Sequence, residues 1–386
     1  MDLRCPARRA RIDSFSHARK LAGPEDTFVT INNDAVYSMA QLDLSGGPLR
    51  LNVPATGSRY YVLQFVDAWT NNIAYVGTRA TGNAAGSFLI VPPGWSGESD
   101  LPVVQASTHI VSIVGRFACT GPDDIPAVTA LQDALTIERM TPEAPLSGLP
   151  QIDGAAGDEL QFWDQAQTWS RAFPAPAAEA HLVDRYATAV TAASGEAGLR
   201  ADYAAGVAQL EDATKHGHSP VVNGWTVGLH LFDYNVYALG LGTIDDDRWK
   251  IGDESQRITD RAIACRLGLW GNHAYEAVYA QAFTDIAGAP LTGDHTYVID
   301  FPSPPPVGAF CSITLYDIPR YHLVANPIDR YSIGDRTAGI RYEADGSLRI
   351  TIAKNEPTDA TARANWLPAP DAGCRLPAGP TAVYAR

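Results

Sequence analysis

Between residues 28 and 120 the chain alternates apolar and polar positions in short runs, broken every 8–15 residues by Gly, Pro or Asn. That spacing predicts an antiparallel β-sandwich rather than alternating β–α units. The runs are Phe28–Ile31, Val36–Leu44, Leu49–Val53, Tyr60–Val66, Ile73–Gly77, Ser87–Val91 and His109–Phe117. The most informative stretch is Arg59 to Asn72. Its first half, Tyr60-Tyr61-Val62-Leu63-Gln64-Phe65-Val66, is aromatic and β-branched, as a central strand requires. Its second half places the hydrogen-bonding side chains of Asp67, Trp69, Thr70, Asn71 and Asn72 where that strand ends. Buried without partners, each would cost about 1–3 kcal/mol. They either stitch the protein to itself or face a ligand.

The pattern then changes. Pro126–Met140 has helical spacing, with Asp123 or Asp124 as a cap, and the Ala-rich segment Asp158–Ala213 is rich in helix formers. Pro174, Pro176 and Ser194-Gly195 divide it into separate helices. Val222–Trp225 reads as a turn and Glu254–Leu269 as another helix. Beyond residue 275 the β pattern returns, in Thr296–Phe301, Phe310–Tyr316 and a hairpin over Arg341–Ile352 around Asp345-Gly346. Asn365-Trp366-Leu367-Pro368 is expected to seal a sheet, with the Trp366 indole N–H bonded to backbone. The expected fold is therefore mainly β with an inserted α-helical segment: two β-sandwich or jelly-roll-like domains joined by helices. The boundaries are a loosely draped extension at 1–27, a first domain at 28–125, helices at 126–272 and a second domain at 273–386.

Composition narrows the function classes. Of the 386 residues 46% are hydrophobic, enough for real cores. A formal charge of −14 argues against nucleic acid and anionic membrane surfaces, which attract basic patches. The basic first twenty residues hold no apolar core, so no secretory signal is expected there. The five cysteines are far apart and form no C-x-x-C, which makes a zinc site or a disulfide framework a poor reading. A cytoplasmic protein with no metal and no cofactor is expected.

Several residues carry candidate chemistry. Asn32, Asp34 and Tyr37 flank a strand start at a spacing that lets a carboxylate and a phenol converge on one cavity, as proton transfer needs. The alternative is an Asx turn in which Asp34 bonds local backbone. Asp67, Trp69, Asn71 and Asn72 either position a substrate or hold strand ends. Arg79 either clamps an anion or pairs with an acid. His230 and Asp233, three apart, suit a general base oriented by a carboxylate. His216-Gly217-His218 reads as an exposed loop rather than a metal site, and no G-x-S-x-G or phosphate loop occurs. Cys311 reads as a small buried hydrophobe rather than a nucleophile.

The phrases Asn32-Asn33-Asp34-Ala35-Val36-Tyr37-Ser38, Leu42-Asp43-Leu44-Ser45, Arg59-Tyr60-Tyr61, Gly77-Thr78-Arg79 and Pro93-Gly94-Trp95 resemble the bacterial family called domain of unknown function 1254. Phe310–Asp317, Asn326-Pro327, Arg330–Asp335, Asp345-Gly346-Ser347 and Asn365–Pro370 resemble its usual partner, domain of unknown function 1214. The resemblance implies two β-sandwich-like domains joined by helices and no particular activity. Two positions depart from the family pattern: Ala35 stands in place of Thr and Cys311 in place of Trp.

Together these readings favour a cofactor-independent enzyme acting on a small organic metabolite by acid–base chemistry, as a lyase, isomerase, cyclase or hydrolase. Asp34 would be the base, Tyr37 the proton donor or oxyanion partner, and Asn71, Asn72 and Arg79 the positioning groups. The rival is a non-catalytic small-molecule-binding or assembly protein. Homo-oligomerisation is left open.

Overall fold

The computed structural model describes residues 11–152, 158–217, 219–318, 320–370 and 378–385. Its first unit contains β1 (Phe15–His17), β2 (Ala35–Asp43), β3 (Leu49–Val53), β4 (Tyr61–Asp67), β5 (Asn72–Gly77), β6 (Gly86–Val91), β7 (Val103–Gln105) and β8 (Ile110–Ala118). Helix α1 (Ile125–Asp133) and β9 (Thr136–Arg139) complete it. One sheet has the order β1-β2-β8-β4-β5 and the facing sheet the order β7-β6-β3-β9. Alternate side chains Tyr61, Leu63 and Phe65 meet Val36, Leu42, Leu49, Leu51, Ile90, Ile113 and Phe117 in one core between them. Every residue of β4 is buried, because the other face of its sheet is covered as well.

The connecting helices are α2 (Asp158–Ala172), α3 (Ala180–Ala192), α4 (Gly195–His216) and, later in the chain, α5 (Glu254–Leu267). The Asp253 carboxylate caps α5 by accepting from the Gln256 N–H at 2.7 Å. Between α4 and α5 the hairpin β10 (Val221–Val222) and β11 (Trp225–Gly228) turns through Asn223 and Gly224, both at positive φ as a type I′ turn requires. The second unit adds β12 (Ala277–Gln281), β13 (Tyr297–Phe301), β14 (Val307–Leu315), β15 (Ser332–Gly334) and β16 (Leu348–Ala353). Helix α6 (Ala360–Ala364), β17 (Trp366–Pro368) and β18 (Ala378–Ala385) follow. A sheet of order β10-β11-β12-β18-β14-β15 faces the smaller sheet β13-β16-β17, with Ile313, Leu315, Ile333, Leu348, Ile350, Ile352 and Leu367 in the core. The Trp366 indole donates to the Ala353 carbonyl at 2.7 Å. Mostly β structure with an inserted helical segment is what the chain forms.

The structure departs from the sequence reading in five places. Phe28–Ile31 is irregular rather than a strand. Residues 11–27 are not a loose extension, since β1 pairs with β2; residues 1–10 lie outside the described residues. The helix at Pro126–Met140 stops at Asp133, and Thr136–Arg139 becomes a strand paired with β3. The first sandwich therefore runs past residue 125 to Arg139, while β10 and β11, placed in the helical segment, join the second sandwich. Around Asp345-Gly346 only one arm is a strand: β16 pairs with β13 and β17, because those neighbours offer it a longer apolar face than Arg341–Glu343 can.

Candidate functional site

The face of the first sheet that points away from the sandwich core carries Tyr37, Tyr60, Val62, Gln64, Tyr75 and Arg116. It is covered by the segment Trp270–Tyr279, so large polar side chains are enclosed where a solvent face would carry Lys or Glu. Gly271 makes the close approach, since a Cβ there would collide with the Phe232 ring. Its carbonyl accepts from Gln64 Nε2 at 2.9 Å and Asn72 Nδ2 at 3.0 Å. Glu276 is 1% exposed, accepts from the Tyr60 hydroxyl at 2.7 Å and pairs with Arg79. The His273 Nδ1 lies 2.9 Å from the Tyr75 hydroxyl and 3.0 Å from that of Tyr275. Burial, with the Arg79 charge, pushes His273 down to about 3, so it is neutral.

Arg116 differs from its neighbours. Its guanidinium donates to Gln64 Oε1 and to the Trp270 carbonyl, both at 2.9 Å, and stands 5.4 Å from the centre of the Tyr37 ring. Among the described residues no carboxylate pairs with it, although Glu276 is close by and occupied. Burial works against its charge, and the oxygens of Tyr37, Tyr279 and Tyr60 more than offset that. Two of those phenols receive hydrogen bonds: Tyr37 from the Asn32 N–H at 3.2 Å, and Tyr279 from Asn272 Nδ2 at 3.0 Å. Among the described residues neither hydroxyl has an acceptor for its own proton. Arg116, Tyr37 and Tyr279 all remain partly exposed in this junction, so solvent reaches them.

Asp34 lies at the same junction. Its Oδ2 accepts from the Ser312 hydroxyl at 2.5 Å and its Oδ1 from the Ser332 hydroxyl at 3.3 Å. Enclosure between the two sandwiches raises its pKa, and Ser312, the Arg336 charge and Ser332 pull part of that back. Its backbone N–H donates to Asn32 Oδ1 at 2.6 Å, so the Asx turn exists, with Asn32 rather than Asp34 as the acceptor. The carboxyl is thereby left free to face the other domain. Tyr316 lies nearby, its pKa raised first by burial and further by Tyr37 and Asp34, and its hydroxyl donates to the Ile31 carbonyl at 3.1 Å.

Residues 12–139 match the family described as Protein of unknown function (DUF1254), and residues 276–376 match Protein of unknown function (DUF1214). The chain belongs to this DUF1254–DUF1214 family. The VPA0106 protein of Vibrio parahaemolyticus has a similar structure, with a TM-score of 0.68 at 21% identity over 97% of this chain and 88% of that one. An uncharacterised Burkholderia cenocepacia protein aligns over 96% of this chain and 78% of its own, at 14% identity and a TM-score of 0.47. The first likeness concerns fold alone. No curated protein matches.

The remaining residues singled out in this DUF1254–DUF1214 chain divide into two groups. Asp67 accepts from the Trp69 and Asn71 N–H groups, from Asn71 Nδ2 and from the Ser107 hydroxyl. Asn71 Oδ1 accepts from Arg261, and Asn72 Oδ1 accepts from Gln64. The Trp69 indole donates to the Phe173 carbonyl and the Trp169 indole to that of Ala68, each at 2.9 Å. This turn therefore docks the helices. Arg79 pairs with Glu276 and donates to the Gly242 carbonyl, stacked on Tyr275 at 4.8 Å. His230 and Asp233 do pair, with Nδ1 2.8 Å from Oδ2. Burial pushes Asp233 up to about 6, against the pull of His230. The pair sits beside Trp249 and not at Asp34 and Tyr37. His216-Gly217-His218 ends outside the described residues, among which no cluster of metal ligands occurs. Two surface clefts, of about 270 Å³ beside Asp43, His109 and Phe173 and about 500 Å³ along α3, hold none of this chemistry. Sequence reasoning missed Arg116, Tyr60, Glu276, Asn272, Tyr279 and Tyr316. The available signal was Tyr60, Gln64 and Arg116 at the second-face positions of strands whose first face was already apolar.

Proposed function

We propose that the protein is a cofactor-independent enzyme acting on a small organic metabolite by acid–base chemistry, at the junction of its two sandwiches. The observation that carries this reading is Arg116: among the described residues, a guanidinium without a carboxylate partner, beside two phenols whose protons have no acceptor. Three donors converging in a partly enclosed place stabilise negative charge, such as an enolate oxygen that develops as a proton leaves. Tyr37 supplies a proton or holds the oxyanion. Asp34, its pKa raised by enclosure, exchanges the proton. A lyase, isomerase, cyclase or hydrolase can be built on that trio. Asn71, Asn72 and Arg79 support the turn and the junction, and the positioning role passes to Arg116 and Tyr279. The thiols of Cys119, Cys265 and Cys311 are free, which suits a cytoplasmic setting. No helix among the described residues is long and apolar enough to cross a membrane.

The second reading is a non-catalytic binding protein. It is favoured by the Asp34 carboxyl, which accepts from Ser312 and Ser332 and so ties one sandwich to the other. Turnover and thermal unfolding of Asp34→Asn beside Tyr37→Phe, on a substrate suggested by neighbouring genes, separate the two. An enzyme loses about 100-fold or more in turnover from each change with melting nearly unchanged. Full activity in both folded variants would remove the acid–base pair.

A further inference from the structure

We infer that the junction takes a small carboxylic acid that also carries an O–H or N–H donor, its carboxylate held by Arg116, Tyr37 and Tyr279 and its donor by Asn272. The inference rests on the site proposed above and names its substrate class. A carboxylate offers about four acceptor positions in one plane, and a guanidinium flanked by hydroxyls is its natural complement. Among the described residues no acid stands opposite this half-buried cation, so an anion there would compensate it more fully than solvent does.

The second half of the ligand is read from an orphan. Asn272 is 2% exposed and donates through Nδ2 to Tyr279, yet among the described residues its Oδ1 has no donor. Since Tyr279 also borders Arg116, that carbonyl belongs to the same cluster. Buried polar atoms left bare are rare and expensive, and a ligand hydroxyl or amine reaching Asn272 removes the penalty. The roof restricts the ligand to a small one. Trp270, whose carbonyl accepts from Arg116, stacks on Phe28 at 5.9 Å and 11°. It holds a φ of +68°, an uncommon conformation for a bulky residue, and Thr30 and Tyr321, hydrogen-bonded to each other, hold +50° and +57°. Trp270, whose carbonyl holds Arg116, is one strained residue at the site itself.

The test is calorimetry and thermal shift on the full chain with matched probes: 4-hydroxybenzoate and benzoate, glycolate and acetate, and the corresponding primary amides. At least one hydroxylated acid is expected to bind, more tightly than its deoxy partner by roughly tenfold or more, and its amide not at all. Arg116→Gln should weaken that acid roughly 100-fold, and Asn272→Leu should abolish the preference for the hydroxyl. Should Asn272→Leu fail to fold, the hydroxy-against-deoxy ratio on the unmodified protein carries the same information. No binding by any acid, equal binding of acids and amides, or undiminished binding by folded Arg116→Gln would overturn the inference. Acid binding without turnover would leave it standing and sink the enzyme reading. Turnover of a neutral substrate that depends on Asp34 and Tyr37, with no acid bound, would do the reverse.

Discussion

Two polar clusters on the same β-sheet, one at the ends of its strands and one on its outer face, look alike in residue type and differ in how their hydrogen bonds close. At the Asp67–Asn72 turn, the carboxylate accepts four hydrogen bonds, and both amides and the indole find partners in the chain. At the junction, among the described residues, a cation has no carboxylate partner, two phenol protons have no acceptor and the Asn272 carbonyl has no donor. The first cluster is glue; the second is where we propose a ligand binds. The difference lies in complementarity rather than composition, since Asn, Tyr, Arg and Asp serve both purposes.

The sharpest way to break that contrast is Asp67→Ala. It orphans four donors, each worth about 1–3 kcal/mol when left bare, so chemical denaturation should show a loss of at least about 4 kcal/mol. A variant with wild-type stability would show that the turn is not the structural half of the pair.

Next in size is the pH dependence set by Asp233. Its carboxyl is raised from 3.8 to about 6 by burial, so the folded state favours the protonated form. The stabilisation is complete below about pH 4 and is lost as pH rises through about 6, to an extent of up to about 3 kcal/mol. Unfolding free energy measured from pH 4 to 7 should therefore flatten in Asp233→Asn. An unchanged slope would remove the raised carboxyl from the account.

The smallest expected effect is the most discriminating. Arg116→Gln should change stability by no more than about 1 kcal/mol, because no carboxylate loses its partner and the amide can still reach Gln64. Urea unfolding checks this. A loss of several kcal/mol would place Arg116 with the glue and dissolve the comparison.

The sequence alone determined the two sandwiches and the helices between them, through strand periodicity, Ala-rich helix formers and turn residues such as Asn223-Gly224. It also gave the pairing of His230 with Asp233, because that contact spans three residues. It could not tell a closed cluster from an open one. Asp34 meets Ser312 across 278 positions and Tyr60 meets Glu276 across 216, and no local pattern encodes such pairings. Tertiary structure decided which face of the first sheet is covered, that Glu276 satisfies Arg79 and Tyr60, and that among the described residues Arg116 is left without an acid. A charge is compensated or not by whatever the fold brings within a few ångströms, and Coulombic and hydrogen-bond energies depend on that distance rather than on order along the chain.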